Sequence, residues 1–338
     1  MRDNILLVCP NLGIDHTVRL ARLEPGTVTR TGPGWTVAGG KGANVARALS
    51  TGADRQATTL GFAGTAGGPY LESLFAAESL PLSTIGVDGA VRTTTALIED
   101  SGRVTLLNEP GPAVGPAQWA SLLAAATRLL TSTVRIGWSV AGSGSLPPGS
   151  PADSYARLVE AAHRAEAFCA IDSTGEPLRL AAAAGADLVC PNLSEAETLI
   201  GGTAAEQVDE QAPDVPDRAL RAAESLVRLG AGAATVTAGA SGVGVAWRAA
   251  DRPRSQWLVT PRVDAVNPIG AGDSFLAGLL AAVGTASVGT VGGGSENAGD
   301  TTDWPAATQQ AMAFAASSVE NERAGIVDPV RVAQLLAG

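Results

Sequence analysis

The residues able to do chemistry gather in two glycine-rich segments, Gly39-Gly40-Lys41-Gly42-Ala43-Asn44 and Gly270-Ala271-Gly272-Asp273. Each runs into an alanine- and leucine-rich stretch of helical spacing, so each places pliable backbone at a helix start. There, unpaired N–H groups and the positive end of the helix dipole converge and favour phosphate or developing negative charge. Neither segment fits the common nucleotide fingerprints: both lack the third glycine of GxGxxG, and Lys41 is followed by Gly42 rather than Ser or Thr. A dinucleotide-binding dehydrogenase and a P-loop nucleotidase both lose ground. The acid behind the second pair of glycines is the more telling feature, because Asp273 would repel a phosphate unless it had another task. A carboxylate beside an anion-binding helix terminus can take the proton of a hydroxyl while backbone donors hold the charge of a transferring phosphoryl group, which is the layout of a kinase. The plainer alternative is a tight turn with Asp as helix cap, which accounts for one acid and two glycines equally well.

Lys41 is the only lysine among 23 cationic residues, the rest being arginine. A compact, strongly hydrated point charge kept between glycines in an arginine-using chain points to a local task. The 338 residues carry a formal net charge of -10 and 45% hydrophobic residues, enough for one large core and unsuited to nucleic acid or anionic membranes. Any anionic ligand must therefore be met by a local cluster of donors. Cys9, Cys169 and Cys190 are widely spaced and form no CxxC pair, so neither a disulfide framework nor a zinc site is indicated, which fits a reducing cytoplasm. The apolar run at the start is too short for a secretory signal and reads as a first strand.

The elements that must position these residues follow from periodicity. Short apolar runs at 4–9, 57–62, 134–141, 168–172, 187–191 and 233–239 alternate with amphipathic stretches at 42–52, 69–79, 116–131, 152–166, 193–200, 217–229, 271–284, 305–320 and 329–337. This alternation predicts an α/β fold, a mostly parallel sheet with helices on both faces. Residues 13–37 and 82–108 break the rhythm with β-prone, polar-alternating segments, which predict a small, antiparallel-paired sheet projecting from the main body. Residues 284–303, rich in Gly, Ser and Thr, and the acidic stretch 206–217 read as loops.

Together, GGKGANVARAL and NPIGAGDSFLAGLL resemble the two signature regions of the ribokinase-type carbohydrate kinases, the PfkB family. The blocks PNLGID, LEPGTVTRT, RTTT, NEPGP, SGSLPPG, IDSTGEPL, PNLSEAE and VTAGASGVGV extend the likeness along most of the chain, closest to the branch of 1-phosphofructokinases and tagatose-6-phosphate kinases. The resemblance implies a single ribokinase-like domain in which the two rhythm-breaking segments form a β lid over the sugar and often pair two subunits. It implies Asp273 as catalytic base, and Gly270, Ala271 and Gly272 as the anion hole. It places Asp15, Gly39, Gly40, Asn44 and Ser143 on the sugar, with Lys41 and Arg92 gripping a phosphate already on the substrate. Asn108, Glu109, Gly144 and Ser145 are possible additional contacts. Asn192 and Glu195 would organise magnesium through water, and Thr237, Gly239 and Gly242 would line the ATP phosphates and ribose.

One departure stands out, since Cys190 occupies the place before Pro191 where close phosphosugar relatives often carry a lysine on the ATP phosphates. The expectation is a cytoplasmic, ATP- and magnesium-dependent kinase of a ketohexose phosphate, fructose 1-phosphate first. Tagatose 6-phosphate, fructose 6-phosphate, or an unphosphorylated sugar or nucleoside are the alternative substrates, and a catalytically silent sugar-phosphate sensor is the alternative outside enzymes. His16 and His163 read as ordinary packing or surface residues.

Overall fold

The computed structural model describes residues 4–132, 137–201, 209–210, 212–250, 252–285 and 302–337. Its first half contains β1 (Asn4–Asn11), β2 (Gly13–Leu20), β3 (Trp35–Gly39), α1 (Lys41–Ala53), β4 (Ala57–Ala66), α2 (Gly68–Ala77), β5 (Leu82–Ala90), β6 (Arg92–Glu99), β7 (Val104–Asn108) and α3 (Pro116–Thr131). There follow β8 (Trp138–Ser143), α4 (Ser154–Arg164), β9 (Phe168–Asp172), α5 (Gly175–Ala183), β10 (Leu188–Val189), α6 (Leu193–Leu199) and α7 (Val215–Leu229). The last third adds β11 (Ala233–Ala238), β12 (Gly242–Trp247), β13 (Arg254–Val259), α8 (Ala271–Thr285), α9 (Trp304–Val319) and α10 (Pro329–Ala337).

Nine strands form one sheet in the order β13-β12-β11-β10-β9-β8-β1-β4-β5, parallel from β11 to β5 and antiparallel at the β12 and β13 edge. β1 is an interior strand, the seventh of nine, and its side chains alternate between the two faces. Ile5, Leu7 and Cys9 join a core with α1, α8 and α9 (Val45, Leu49, Leu276, Phe314), whereas Leu6 and Val8 join a second core with α3, α4, α5 and α7 (Trp119, Leu158, Leu178, Leu226). A strand buried on both faces reads as an unbroken apolar run, which is why its sequence pattern was legible.

The small sheet has the order β3-β2-β6-β7. β2 pairs antiparallel with β3 and β6 antiparallel with β7, but β2 and β6 run parallel, so pairing is mixed rather than wholly antiparallel as the polar alternation predicted. The chain enters this sheet twice from the large one, through Leu12 between β1 and β2 and through Val91 between β5 and β6. The second rhythm-breaking segment therefore begins later than its predicted boundary at 82. Residues 82–90 form β5, paired parallel to β4 on the edge of the large sheet, and an edge strand with one covered face has the same mixed pattern as a strand of a small sheet.

α5 had no counterpart among the predicted helices, and its Gly175 and Pro177 are residue types more usual in turns. Both sit in its first turn, where backbone N–H groups have no helical acceptor and proline costs nothing. Residues 284–303 lie almost wholly outside the described residues, as does most of 206–211. Among the described residues no helix is long and apolar enough to cross a membrane.

Candidate functional site

In a parallel sheet, ligands are met outside the carboxyl ends of the strands, next to the point where strand order reverses. Here the order reverses at β1, which lies between β8 and β4. Asn11, Ser143, Asp172 and Thr237 all stand at such ends, and Cys190 and Asn192 directly follow β10. The two glycine-rich segments cap this edge. Gly40, with φ 97, is the N-cap of α1, and the turn 267–272 leads into α8 with Gly270 at φ 79. Within that turn the Asn267 side chain accepts from Ile269 N–H at 3.0 Å and donates to the Glu322 carbonyl at 2.9 Å.

The turn divides two cavities. A small one of about 40 Å³ is lined by Asp15, Thr94, Asn44, Asn267, Ile269 and Arg323 on the side of the small sheet. A wide cleft of about 1220 Å³ on the other side is lined by Asn192, Thr237, Gly239, Ala271, Gly272 and Phe275 among others. Asp273, 6% exposed, lies on the first turn of α8 between them, its Oδ2 accepting from Asn44 Nδ2 at 2.8 Å. Burial lifts its carboxyl to about 6; Lys41 and the Asn44 amide pull it down, while Asp172 and Asp15 push it up. A carboxylate so poised is ionised near neutrality yet basic enough to accept a proton.

Lys41 points its ammonium at Asp172, with Nζ 3.1 Å from Oδ1 and 3.0 Å from Oδ2. Burial works against its charge, but Asp172, Asp273 and Glu195 outweigh that and hold the ammonium above the ordinary lysine range. Arg92 lies elsewhere, donating from Nε to the Asn11 carbonyl at 3.0 Å, and its charge acts on Asp15 and Cys9. The two cations expected to share one phosphate thus rest on different partners, Lys41 on Asp172 and Arg92 on the Asn11 carbonyl. The difference in partners follows from the start of α1: Lys41 is its first residue and turns toward Asp172 at the end of β9, whereas Arg92 opens β6 in the small sheet.

Asp15 sits on β2 opposite Val37 and Thr94. Burial raises its pKa, restrained by the charges of Arg92 and Arg47, the Gly40 N–H and the Thr94 hydroxyl. A β-carbon at position 39 would lie 2.3 Å from Asp15 Oδ1, so Gly39 gives this carboxylate its room. Ser143 was expected on the sugar, but it is fully buried and donates from Oγ to Asp172 Oδ2 at 3.2 Å, which makes it a support for Asp172. Gly144, with φ 106, offers its carbonyl to Tyr155 Oη at 2.8 Å and Ser173 Oγ at 3.1 Å. Ser145 accepts from Asn11 Nδ2 at 3.1 Å, Glu109 accepts from Thr93 N–H at 2.9 Å, and Asn108 ends β7, exposed.

On the cleft side, Asn192 caps α6 in a reciprocal box: its Oδ1 accepts from Glu195 N–H at 2.9 Å, and Glu195 Oε2 accepts from Asn192 N–H at 2.9 Å. Each spends one oxygen on the helix. Burial raises the Glu195 pKa, while the Asn192 N–H and the Lys41 charge lower it. Among the described residues no group of three or more His, Cys, Asp or Glu side chains is arranged to hold a metal. A single carboxylate and an amide suit magnesium, which keeps several waters and takes phosphate oxygens as ligands. Thr237 and Gly239 line the cleft, but Gly242 does not: a β-carbon there would lie 2.3 Å from the Leu258 carbonyl and 2.5 Å from the Trp257 ring, so this glycine serves strand packing. Burial pushes the Cys190 thiol up to about 12, so it stays neutral beside Asp172 and Lys41. His16 meets Thr36 Oγ1 at 3.0 Å and His163 meets Asp187 Oδ2 at 3.1 Å, both away from the site.

Two residues of the constellation lacked any role in the sequence reading. Asp172 is the second residue of the block IDSTGEPL and the last of β9, and an acid closing a buried strand is the signal that would have flagged it. Arg47, on the buried face of α1, meets Asn44, Glu78 and two carbonyls, and nothing in its local sequence among alanines distinguishes it from a solvated helix position.

Residues 11–330 match the profile described as pfkB family carbohydrate kinase. The chain is 34% identical over 283 residues to the 1-phosphofructokinase of Rhodobacter capsulatus, covering 83% of this chain and 84% of that protein. It is 33% identical over 286 residues to the 1-phosphofructokinase of Xanthomonas campestris pv. campestris, covering 82% and 83%. Among solved structures, phosphofructokinase-2 from Escherichia coli in complex with potassium superposes with a TM-score of 0.80 at 24% identity, covering 99% of this chain and 98% of that one. Ribokinase from Thermotoga maritima gives 0.69 at 18% identity, with 99% of each chain covered. These likenesses establish the ribokinase-like fold.

Proposed function

The chain belongs to the pfkB family of carbohydrate kinases, and from that premise we propose that it transfers the γ-phosphoryl group of ATP to a hydroxyl of a ketohexose phosphate, with fructose 1-phosphate as the leading substrate. The observation that carries this reading is the placement of Asp273, buried between two cavities of unequal size and bonded to Asn44 on α1. The sugar lies on the small-sheet side of Asp273 beside Asp15, where the cavity of about 40 Å³ marks the place and must widen to admit it, and its own phosphate is met by Arg92. The nucleotide lies in the wide cleft, with its terminal phosphate at the first-turn N–H groups of α8 beyond Gly270, Ala271 and Gly272.

Asp273 takes the proton of the attacking hydroxyl as the new O–P bond forms and the bond to the leaving nucleoside diphosphate breaks. Lys41, held by Asp172, acts at this reacting end rather than on the phosphate the sugar already carries. Asn192 and Glu195 would hold magnesium through water, and the ion would neutralise charge on the phosphate oxygens. Chain entry through Leu12 and Val91 makes the small sheet a cover for the sugar, excluding water from the transferring group. Two copies pair through that sheet, where Leu106 and Leu107 are exposed, and the enzyme works in the cytoplasm.

The test is ADP release with magnesium and ATP over fructose 1-phosphate, tagatose 6-phosphate, fructose 6-phosphate, fructose, ribose and adenosine. The phosphorylated ketoses should exceed the neutral compounds in kcat/KM by on the order of 10⁴, because a site built for a dianion is left unpaired without it. Equal turnover on both sets removes the phosphosugar assignment.

A further inference from the structure

Asn44 and Arg47 lie one turn apart on the buried face of α1, and their side chains form a relay that ends on Asp273. Arg47 Nη1 donates to Asn44 Oδ1 at 2.7 Å, and Asn44 Nδ2 donates to Asp273 Oδ2 at 2.8 Å. An asparagine amide has two orientations of nearly equal shape, and the choice between them is made by its partners. A guanidinium has donors only, so the amide atom facing Arg47 must be the oxygen and the atom facing Asp273 must be the NH2. Turned round, the amide would set its carbonyl against the carboxylate.

Arg47 is itself fixed from four directions. Its side chain is 6% exposed, Nη2 donates to Glu78 Oε1 at 3.0 Å and to the Ala38 carbonyl at 2.9 Å, Nε pairs with Glu78 Oε2, and Nη1 also reaches the Ala324 carbonyl at 3.1 Å. The Glu78 carboxylate is tied in turn by the Ala38 N–H at 3.1 Å. A buried guanidinium with every face used is a rigid mount, since any rotation would strand a charge in a dry interior.

We propose that Arg47 is a positioning residue for the proton acceptor: it locks the Asn44 amide so that a donor always faces Asp273, keeping that carboxylate ionised and aimed at the substrate hydroxyl. The inference rests on the reading of Asp273 as base. The other charges acting on Asp273 are Lys41, which favours its ionised form, and Asp172 and Asp15, which oppose it; the nearby Cys9 thiol is pushed by burial up to about 11 and stays neutral. Lys41 and Asp172 are untouched when the relay is cut, and the Arg47 charge that restrains Asp15 is kept by a lysine, so a shift in the titration of Asp273 reports the relay.

The experiment is the pH profile of kcat/KM for the phosphosugar between pH 5 and 9, at saturating ATP and magnesium, for the native chain, Arg47→Lys and Asn44→Ser, with thermal melting of each. A lysine keeps the charge opposite Glu78 but has no planar fork to hold Asn44 as well. The acidic limb of the native profile, set by Asp273, should rise by about one pH unit in both variants, the loss of one charge-assisted donor. Activity near pH 6 then falls roughly fivefold while the nucleotide KM is unchanged, and the profiles converge above pH 8. A merely loosened fold lowers activity alike at all pH values and moves no limb, and that result in both variants overturns the proposal. A limb that moves in Asn44→Ser but stays in place in Arg47→Lys overturns the proposal. If Arg47→Lys does not fold, Glu78→Gln, which frees the guanidinium without removing it, carries the same expected shift, and an unmoved limb there overturns it equally. Asp273→Asn separates the premise: residual activity that keeps the native acidic limb defeats the base reading itself, whereas inactivity with an unmoved limb in the Arg47 variant defeats only the relay.

Discussion

On the small-sheet side of Asp273 the polar groups are buried and cross-linked, with Arg47 bound to Glu78, Asn44 and two carbonyls and Asp15 pressed against the space that Gly39 leaves open. On the other side the cleft is wide, and much of its wall is backbone or apolar: Gly239, Ala271, Gly272, Phe275 and Met312, with Asn192 committed to capping a helix. The first side has one geometry available to it, because a misplaced buried charge has no water to fall back on. The second offers donors at helix starts that any terminal phosphate can use. Discrimination therefore belongs to the small-sheet side, and the nucleotide side supplies a general grip.

The sharpest test of this contrast is Asp273→Asn, which removes the group where both sides meet. kcat should fall by about 10³, with both KM values little altered, in a steady-state assay. The same variant should be more stable at alkaline pH. The folded-state pKa of Asp273 is raised to about 6 from an ordinary 3.8, so its neutral form favours the fold below pH 4 and that contribution is lost as pH rises through 6. Melting at pH 8 should show the variant ahead by on the order of 3 kcal/mol, and the gap should close at pH 4. Equal melting at both values would mean that burial does not penalise this carboxylate.

Gly39→Ala probes the rigid side alone. Its new methyl displaces Asp15, so sugar KM should rise by about 10² while nucleotide KM stays within twofold, measured by varying each substrate at saturation of the other. A change in both parameters would show that the two sides are mechanically joined. Glu195→Gln probes the open side: the magnesium needed for half-maximal rate should increase about tenfold with sugar KM unchanged, followed by titrating the metal at fixed ATP. A shift in sugar KM there would blur the division.

Legibility in the sequence followed the range of the interaction. The core strands and nearly all helices show in local periodicity, and Gly270 and Asp273 announce themselves as a turn before a helix. β5 was misplaced because an edge strand and a small-sheet strand share one pattern, and α5 was hidden because its glycine and proline are permissible only in a first turn. Ser143 looked like a ligand contact because its motif ends at the site, although its hydroxyl faces inward to Asp172.

What the sequence by itself determined is the class of device: two anion-binding helix starts, one acid, one ammonium, and a layered α/β frame to bring strand ends together. Only the tertiary structure decided which groups meet. Lys41 and Asp172 are 131 positions apart, and Asn44 and Asp273 are 229 apart. Periodicity reports which face of its own element a side chain occupies, a matter of nearest neighbours along the chain. The partner across the site is chosen by strand order and by the cost of leaving a buried charge unmatched, and both exist only once the sheet has closed around them.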